Sequence, residues 1–268
     1  IVMNRLNKKV AAEQGGMENR APVKVLQFGE GNFLRAFIDW MIDEMNGQGL
    51  FNGKVSVVQP LECGMMDKLA EQDNLYTLLL RGVQDGEVVV RKKIIDVVER
   101  GVDVYAQFEA YLKEEENPDL RIIVSNTTEA GISLSMNDRS EDAPPISFPG
   151  KLLRLMKHRY DVFDGDRSKG FLLFPCELID RNGDTLKAVL TELANAWYPE
   201  DPAFLSWLAE RKKNWIDFNA GQVAEGKSLD EVCDAFAAEI LAIASGTPAC
   251  NEKNDYREIA IFKDGVTL

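Results

Sequence analysis

The chain has 268 residues and a formal net charge of −13, with 31 lysines and arginines against 44 aspartates and glutamates. That acidity excludes nucleic acid or an anionic membrane surface as a general partner, since both need a basic footprint, while a hydrophobic share of 45% suffices to bury a core. The scattered cysteines Cys63, Cys176, Cys233 and Cys250 form neither a disulfide framework nor a metal pattern and fit a reducing cytoplasm, and no apolar run approaches membrane-spanning or signal-peptide form.

Residues 1–22 are polar and read as a loosely docked arm. Val23–Phe28 then reads as a buried strand, followed by a tight turn at Gly29 and Gly31 and an amphipathic helix through Met45. That order is what a dinucleotide site needs. The first glycine permits the turn, the second lets the backbone approach a pyrophosphate, and the helix start offers free N–H groups. The third glycine position of the usual fingerprint holds Leu34. Phe33, Phe37 and Trp40 have helical spacing and are expected to pack in the core. Arg35 has two open readings, a phosphate partner or a solvated helix-face residue.

The second strand, KVSVVQP, ends on Gln59 and Pro60 with Glu62 just beyond, so the acidic residue expected there is missing. A glutamine can hydrogen-bond a ribose hydroxyl without excluding a 2′-phosphate, which leaves the choice between NAD and NADP open. A short helix near Met65–Gln72 comes next. YTLLLRG and EVVVRKKIIDVVE follow as two β-rich runs around the turn Gln84-Asp85-Gly86, and they read as an antiparallel hairpin.

VYAQFEAYLKEEE reads as an acidic helix whose glutamates at 114–116 form a solvated end, and LRIIVSN as a strand buried on both faces. Thr127, Thr128 and Glu129 directly after it could cap the next helix, line a site, or do both. Residues 135–149 read as a surface loop before a helix from about Gly150 to Phe163, which carries the sole histidine, His158, as surface or core filling. A strand at GFLLFPCEL, with Cys176 as a buried small hydrophobe, precedes the helix GDTLKAVLTELANAW and the helix-like AFLSWLAER. The alternation predicts an α/β fold: a doubly wound, mostly parallel Rossmann-type sheet with an antiparallel excursion. Past a boundary near Arg211, Ser228 and Glu231 form a capping box for the helix LDEVCDAFAAEILAIAS, and a short strand ends the chain. The expected organisation is a dinucleotide-binding domain over 1–211 and a small α+β appendage over 212–268.

Three motifs carry a resemblance to the mannitol dehydrogenase family of polyol dehydrogenases, and within it to the tagaturonate reductase (altronate oxidoreductase) branch. They are FGEGNFLRAF at 28–37, SNTTEAGI at 125–132 and PCELIDRNG at 175–183, the last with Glu177 where the family carries aspartate. The resemblance implies NAD as cofactor and a small sugar acid as substrate partner, with hydride passing between NAD(H) and a hexuronate-derived keto acid. The implied cofactor-binding residues are Phe28, Gly29, Gly31, Asn32, Phe33 and Gln59, with Thr128 and Glu129 near the nicotinamide end. The family's catalytic lysine lies in a Lys-x-x-x-x-Asn-x-x-His motif, which nothing here matches, so no catalytic residue and no metal ligand is assigned. Residues 212–268 resemble the C-terminal end of altronate dehydratases. The two enzymes act in consecutive steps, and an in-frame join of neighbouring genes is the expected origin. A nucleotide-binding module without turnover, or a dehydratase-related role through the tail, are the alternative readings.

Overall fold

The computed structural model describes residues 6–13, 20–84, 87–127, 131–179 and 182–209. Five strands form one parallel sheet: β1 (Val23–Phe28), β2 (Lys54–Gln59), β5 (Val98–Asp103), β6 (Ile122–Ser125) and β7 (Leu172–Pro175), in the order β5-β2-β1-β6-β7. Side chains alternate across it, as the pleat requires. Leu26, Phe28, Val58 and Ile123 face one layer, and Val25, Val55, Val57, Ile122 and Val124 face the other. The first layer is built from α5 (Phe108–Lys113), α6 (Phe148–Val162), α7 (Asn182–Trp197) and α8 (Pro202–Ala209), and the second from α2 (Asn32–Ala36), α3 (Ile38–Gly47) and α4 (Met66–Ala70). Both faces of the inner strands are therefore covered, which explains why β1, β2 and β6 are near-continuous apolar runs.

The expected hairpin is present as β3 (Tyr76–Gln84) and β4 (Glu87–Ile95), paired antiparallel in register from Tyr76↔Ile95 to Gln84↔Glu87. It forms its own two-stranded sheet inside the β2-to-β5 crossover. The run EVVVRKKIIDVVE, however, is divided. Its last residues, Val98 and Glu99, open β5, and the break falls at Asp96-Val97. The N-terminal arm also contains α1 (Lys8–Glu13), anchored by the Lys8 N–H to Asp73 Oδ2 at 2.9 Å.

A second departure concerns the glutamates at 114–116, which were expected in solvent. They form a 3-10 turn in which Glu114 and Glu115 are buried. Glu114 receives both arms of the Arg100 guanidinium, at 2.7 and 2.8 Å, a bidentate pair that offsets desolvation. Glu115 lies beside the buried Arg159, and burial holds its carboxyl well above the usual range. The expected core positions behave as read: Trp40 is buried, and Phe33 and Phe37 pack at its margin with ring centroids 5.1 Å apart. The expectations for Thr128, Glu129, Arg211, Ser228, Glu231 and the tail concern residues outside those described.

Candidate dinucleotide site at the switch point of the sheet

Register brings the C-terminal ends of four strands to one level, because Phe28 pairs with both Val58 and Ser125, and Ser125 with Pro175. The chain leaves β1 toward β2 on one side, while β6 lies on the other. The crevice between β1 and β6 is thus the point where strand order reverses, the place where open α/β sheets bind ligands.

The glycine turn sits at this point. Gly29 has φ +114°, a conformation that L side chains rarely adopt, and its N–H donates to Val58 O at 2.9 Å. Gly31 is the N-cap residue of α2, and beyond its two chain neighbours no atom of the described residues lies within 4 Å of where its Cβ would be. The space over the helix start is therefore open, and Asn32 beside it is exposed. Leu34, in the third-glycine position, is buried; its Cδ1 lies 3.6 Å from a Cβ placed on Gly29, so a leucine fits where the usual fingerprint has glycine.

Side chains beneath the turn hold its carbonyls, and sequence reasoning singled out only one of them. Arg35, left open between two readings, takes a third role. Its Nε donates to Glu30 O at 2.9 Å and its Nη2 to Asn32 Oδ1 at 2.7 Å, while its guanidinium lies over the Tyr76 ring. Gln27 Nε2 donates to Gly29 O at 3.1 Å. The Tyr76 hydroxyl donates to Arg35 O at 2.6 Å and lies 3.0 Å from Oδ2 of the fully buried Asp39. The signal was available for Asp39 and Gln27, since both are polar residues in otherwise apolar, buried stretches.

The other wall is a clasp between the motifs at 125–132 and 175–183. Asn126 Nδ2 donates to Cys176 O at 2.7 Å, and the Cys176 N–H to Ser125 O at 2.7 Å. Glu177 Oε1 accepts from the Thr127 N–H at 3.0 Å and from its hydroxyl at 3.1 Å. Asn182 Nδ2 donates to Pro175 O and Glu177 O at 2.7 and 3.1 Å. Glu177 thus performs a structural task that needs only one acceptor oxygen. The Cys176 thiol is pushed up to about 12, chiefly by burial, which disfavours the nucleophilic thiolate.

Phe28 fixes the base of the crevice, packing edge-on to Tyr111 and to Phe148 with centroids 6.0 and 5.0 Å away. That contact seats the N-terminus of α6 at this end of the sheet. His158 is ten residues further along α6, about 15 Å by helical rise, with Nε2 3.5 Å from Glu116 Oε1. It does not reach the crevice. Gln59 is buried and bonded internally, and among the described residues no group of three or more His, Cys, Asp or Glu could hold a metal ion. Among them, too, no helix is long and apolar enough to cross a membrane.

Residues 23–221 match the family model described as the mannitol dehydrogenase Rossmann domain, and residues 205–267 match the D-galactarate/altronate dehydratase C-terminal family. The altronate oxidoreductase of Bacillus subtilis (strain 168) is 47% identical over 208 residues, 78% of this chain and 42% of that protein. That of Phocaeicola vulgatus is 40% identical over 259 residues, 95% of this chain and 48% of that one. The chain spans about half the length of the curated relatives it matches. Among solved structures, Pseudomonas fluorescens mannitol 2-dehydrogenase in a ternary complex with NAD and D-mannitol gives a TM-score of 0.66 at 19% identity, covering 78% of this chain and 45% of that one. A D-sorbitol dehydrogenase in substrate-free form gives 0.58 at 20% identity, covering 77% and 45%. At such identities these two likenesses speak for the fold.

Proposed function

The chain belongs to the mannitol dehydrogenase family, and from that premise we propose that it is the NAD-binding part of an oxidoreductase acting between a hexuronate-derived keto acid and its alcohol, of the tagaturonate/altronate kind. The observation that carries the reading is the Gly29–Gly31 turn at the β1–β6 switch point, with open space over the start of α2. The relatives named altronate oxidoreductase support the substrate class.

The residues present fit a dinucleotide. Gly31, Asn32 and Phe33 would hold the pyrophosphate through backbone N–H groups, with Gly29, whose own N–H is taken by Val58 O, making the turn above the Phe28 floor, and Thr128 and Glu129 remain proposed for the nicotinamide end. NAD, when bound, supplies or accepts the hydride. This chain's part is to bind and orient it and to keep the turn rigid through Arg35, Gln27 and Tyr76. Reduction of a ketone also needs an acid for the forming alkoxide, and no residue described at the crevice is assigned that role. We further propose two units, over 1–211 and 212–268, and a cytoplasmic setting, with which the free thiols of Cys63 and Cys176 agree.

Hydrogen–deuterium exchange with and without NAD tests the placement. Protection is expected across residues 28–33 and at 125–127, and not at His158 or the rest of the far half of α6. Protection confined to segments away from the glycine turn would contradict the reading.

A further inference from the structure

We infer that Glu30, delivered by the glycine turn itself, selects NAD over NADP in place of an acid at the end of β2. The inference rests on the dinucleotide reading above. In doubly wound folds a carboxylate at the end of the second strand accepts hydrogen bonds from the adenosine ribose and repels a 2′-phosphate. Here that strand ends on Gln59, whose carboxamide is committed to the protein. Its Nε2 donates to Leu61 O and Asp103 Oδ2, both at 3.2 Å, and its Oε1 accepts from the Met66 N–H at 3.3 Å. Only 5% of Gln59 is exposed. Both N–H groups are taken, so the side chain has none left for a ribose oxygen.

Glu30 occupies the neighbouring position. Because Phe28 and Val58 are level, Glu30 and Gln59 leave the ends of adjacent strands together. Their side chains come to lie side by side: a Cβ on Gly64 would overlap both Glu30 Oε1 and Gln59 Oε1. A side chain at 64 would require both to shift. Glu30 Oε1 accepts from the Met65 N–H at 3.3 Å, which orients the carboxylate, and among the described residues no hydrogen bond reaches Oε2. Nor, among them, does a lysine or arginine pair with this carboxylate; Arg35 reaches the Glu30 carbonyl instead. Glu30 is half-buried where Gln59 is buried, so it is the polar group of the two that a ligand can meet. One accepting oxygen on a carboxylate that forms no ion pair among the described residues suits a vicinal ribose diol and opposes a phosphate dianion.

The test is a titration of the full chain with NADH and with NADPH, followed by nicotinamide fluorescence, for the wild type, Glu30→Gln and Glu62→Gln. Glu30→Gln keeps the Oε1 acceptor for Met65 and removes only the charge; Glu30→Ser is the second variant should circular dichroism show the first misfolded. The wild type is expected to prefer NADH by at least about tenfold, and Glu30→Gln to lower that preference by about tenfold, with Glu62→Gln unchanged. A preference that Glu30→Gln leaves intact, or that Glu62→Gln abolishes, overturns the role of Glu30 and leaves the dinucleotide site standing. A folded wild type that binds neither nucleotide overturns both.

Discussion

The Tyr76 hydroxyl owns one proton and has two neighbours that want it, Arg35 O at 2.6 Å and Asp39 Oδ2 at 3.0 Å. The shorter contact takes the larger share of it, so Tyr76 offsets the burial of Asp39 only in part. Burial pushes the Asp39 carboxyl up to about 7, with Asp43 adding to the rise and Tyr76, Arg35 and Gln27 opposing it. Asp43 is in turn held by Lys93 of β4 at 2.5 Å, and Lys93 also reaches Glu44. The folded state thus binds the Asp39 proton more tightly than the unfolded chain does. The stabilisation it brings is full below the unfolded value near 4 and is lost as pH rises through about 7. Asp39→Asn, which cannot ionise, should therefore lose that slope. Urea unfolding of the wild type and the variant at pH 5 and pH 8 should give stability differences that change by about 3 kcal/mol, the wild type faring relatively worse at the higher pH. Equal differences at the two pH values would show that Asp39 ionises normally.

At the scale of elements, one side chain ties several segments together at the opposite end of the sheet. Arg159, fully buried on α6, donates to the carbonyls of Glu115, Asn117, Leu120 and Lys169 at 2.6 to 3.0 Å, between the Phe163 and Phe171 rings. It ties α6 to the turn before β6 and to the segment before β7. Arg159→Met should cost upwards of about 4 kcal/mol, because four carbonyls lose their partner at once and the buried Glu115 carboxyl loses the positive charge beside it; a thermal melt within a few degrees of the wild type would contradict this. The sequence made the parallel alternation legible through buried runs such as IIVS and VKVLQF, and it made the glycine turn legible through its place between strand and helix. It did not reveal β5, because Val97 and Val98 continue the apolar pattern of the hairpin without a turn residue. Nor did it reveal that Glu114 and Glu115 face inward while Glu116 stays exposed: a charge run normally marks a solvated face, and Arg100, which pairs with Glu114, and Arg159, which lies beside Glu115, are far away in sequence. The turn's support was hidden for the same reason, since Tyr76 reaches Arg35 and Asp39 across some forty residues.

For the whole molecule, the two ends of the sheet do different work. One end is closed by Arg159 and by Asn117 Nδ2, which donates to Val23 O at 2.9 Å. The other leaves the space above Gly31 open and surrounds it with held carbonyls, a clasped pair of loops and a carboxylate. That polarity, rigid below and open above, is what a cofactor platform requires. The family match over residues 23–221 runs past α8 and overlaps the second match from residue 205, so the proposed division near Arg211 falls where the two families meet. The most direct test of the account is an NADH titration of the purified chain, followed by nicotinamide fluorescence and by energy transfer from tryptophan, with Trp40 on α3 as a donor in the layer that carries the turn. Saturable binding with energy transfer, abolished in Gly29→Val, is the predicted result. A chain folded by circular dichroism that shows no saturable binding would contradict the claim that the glycine turn is a working dinucleotide site.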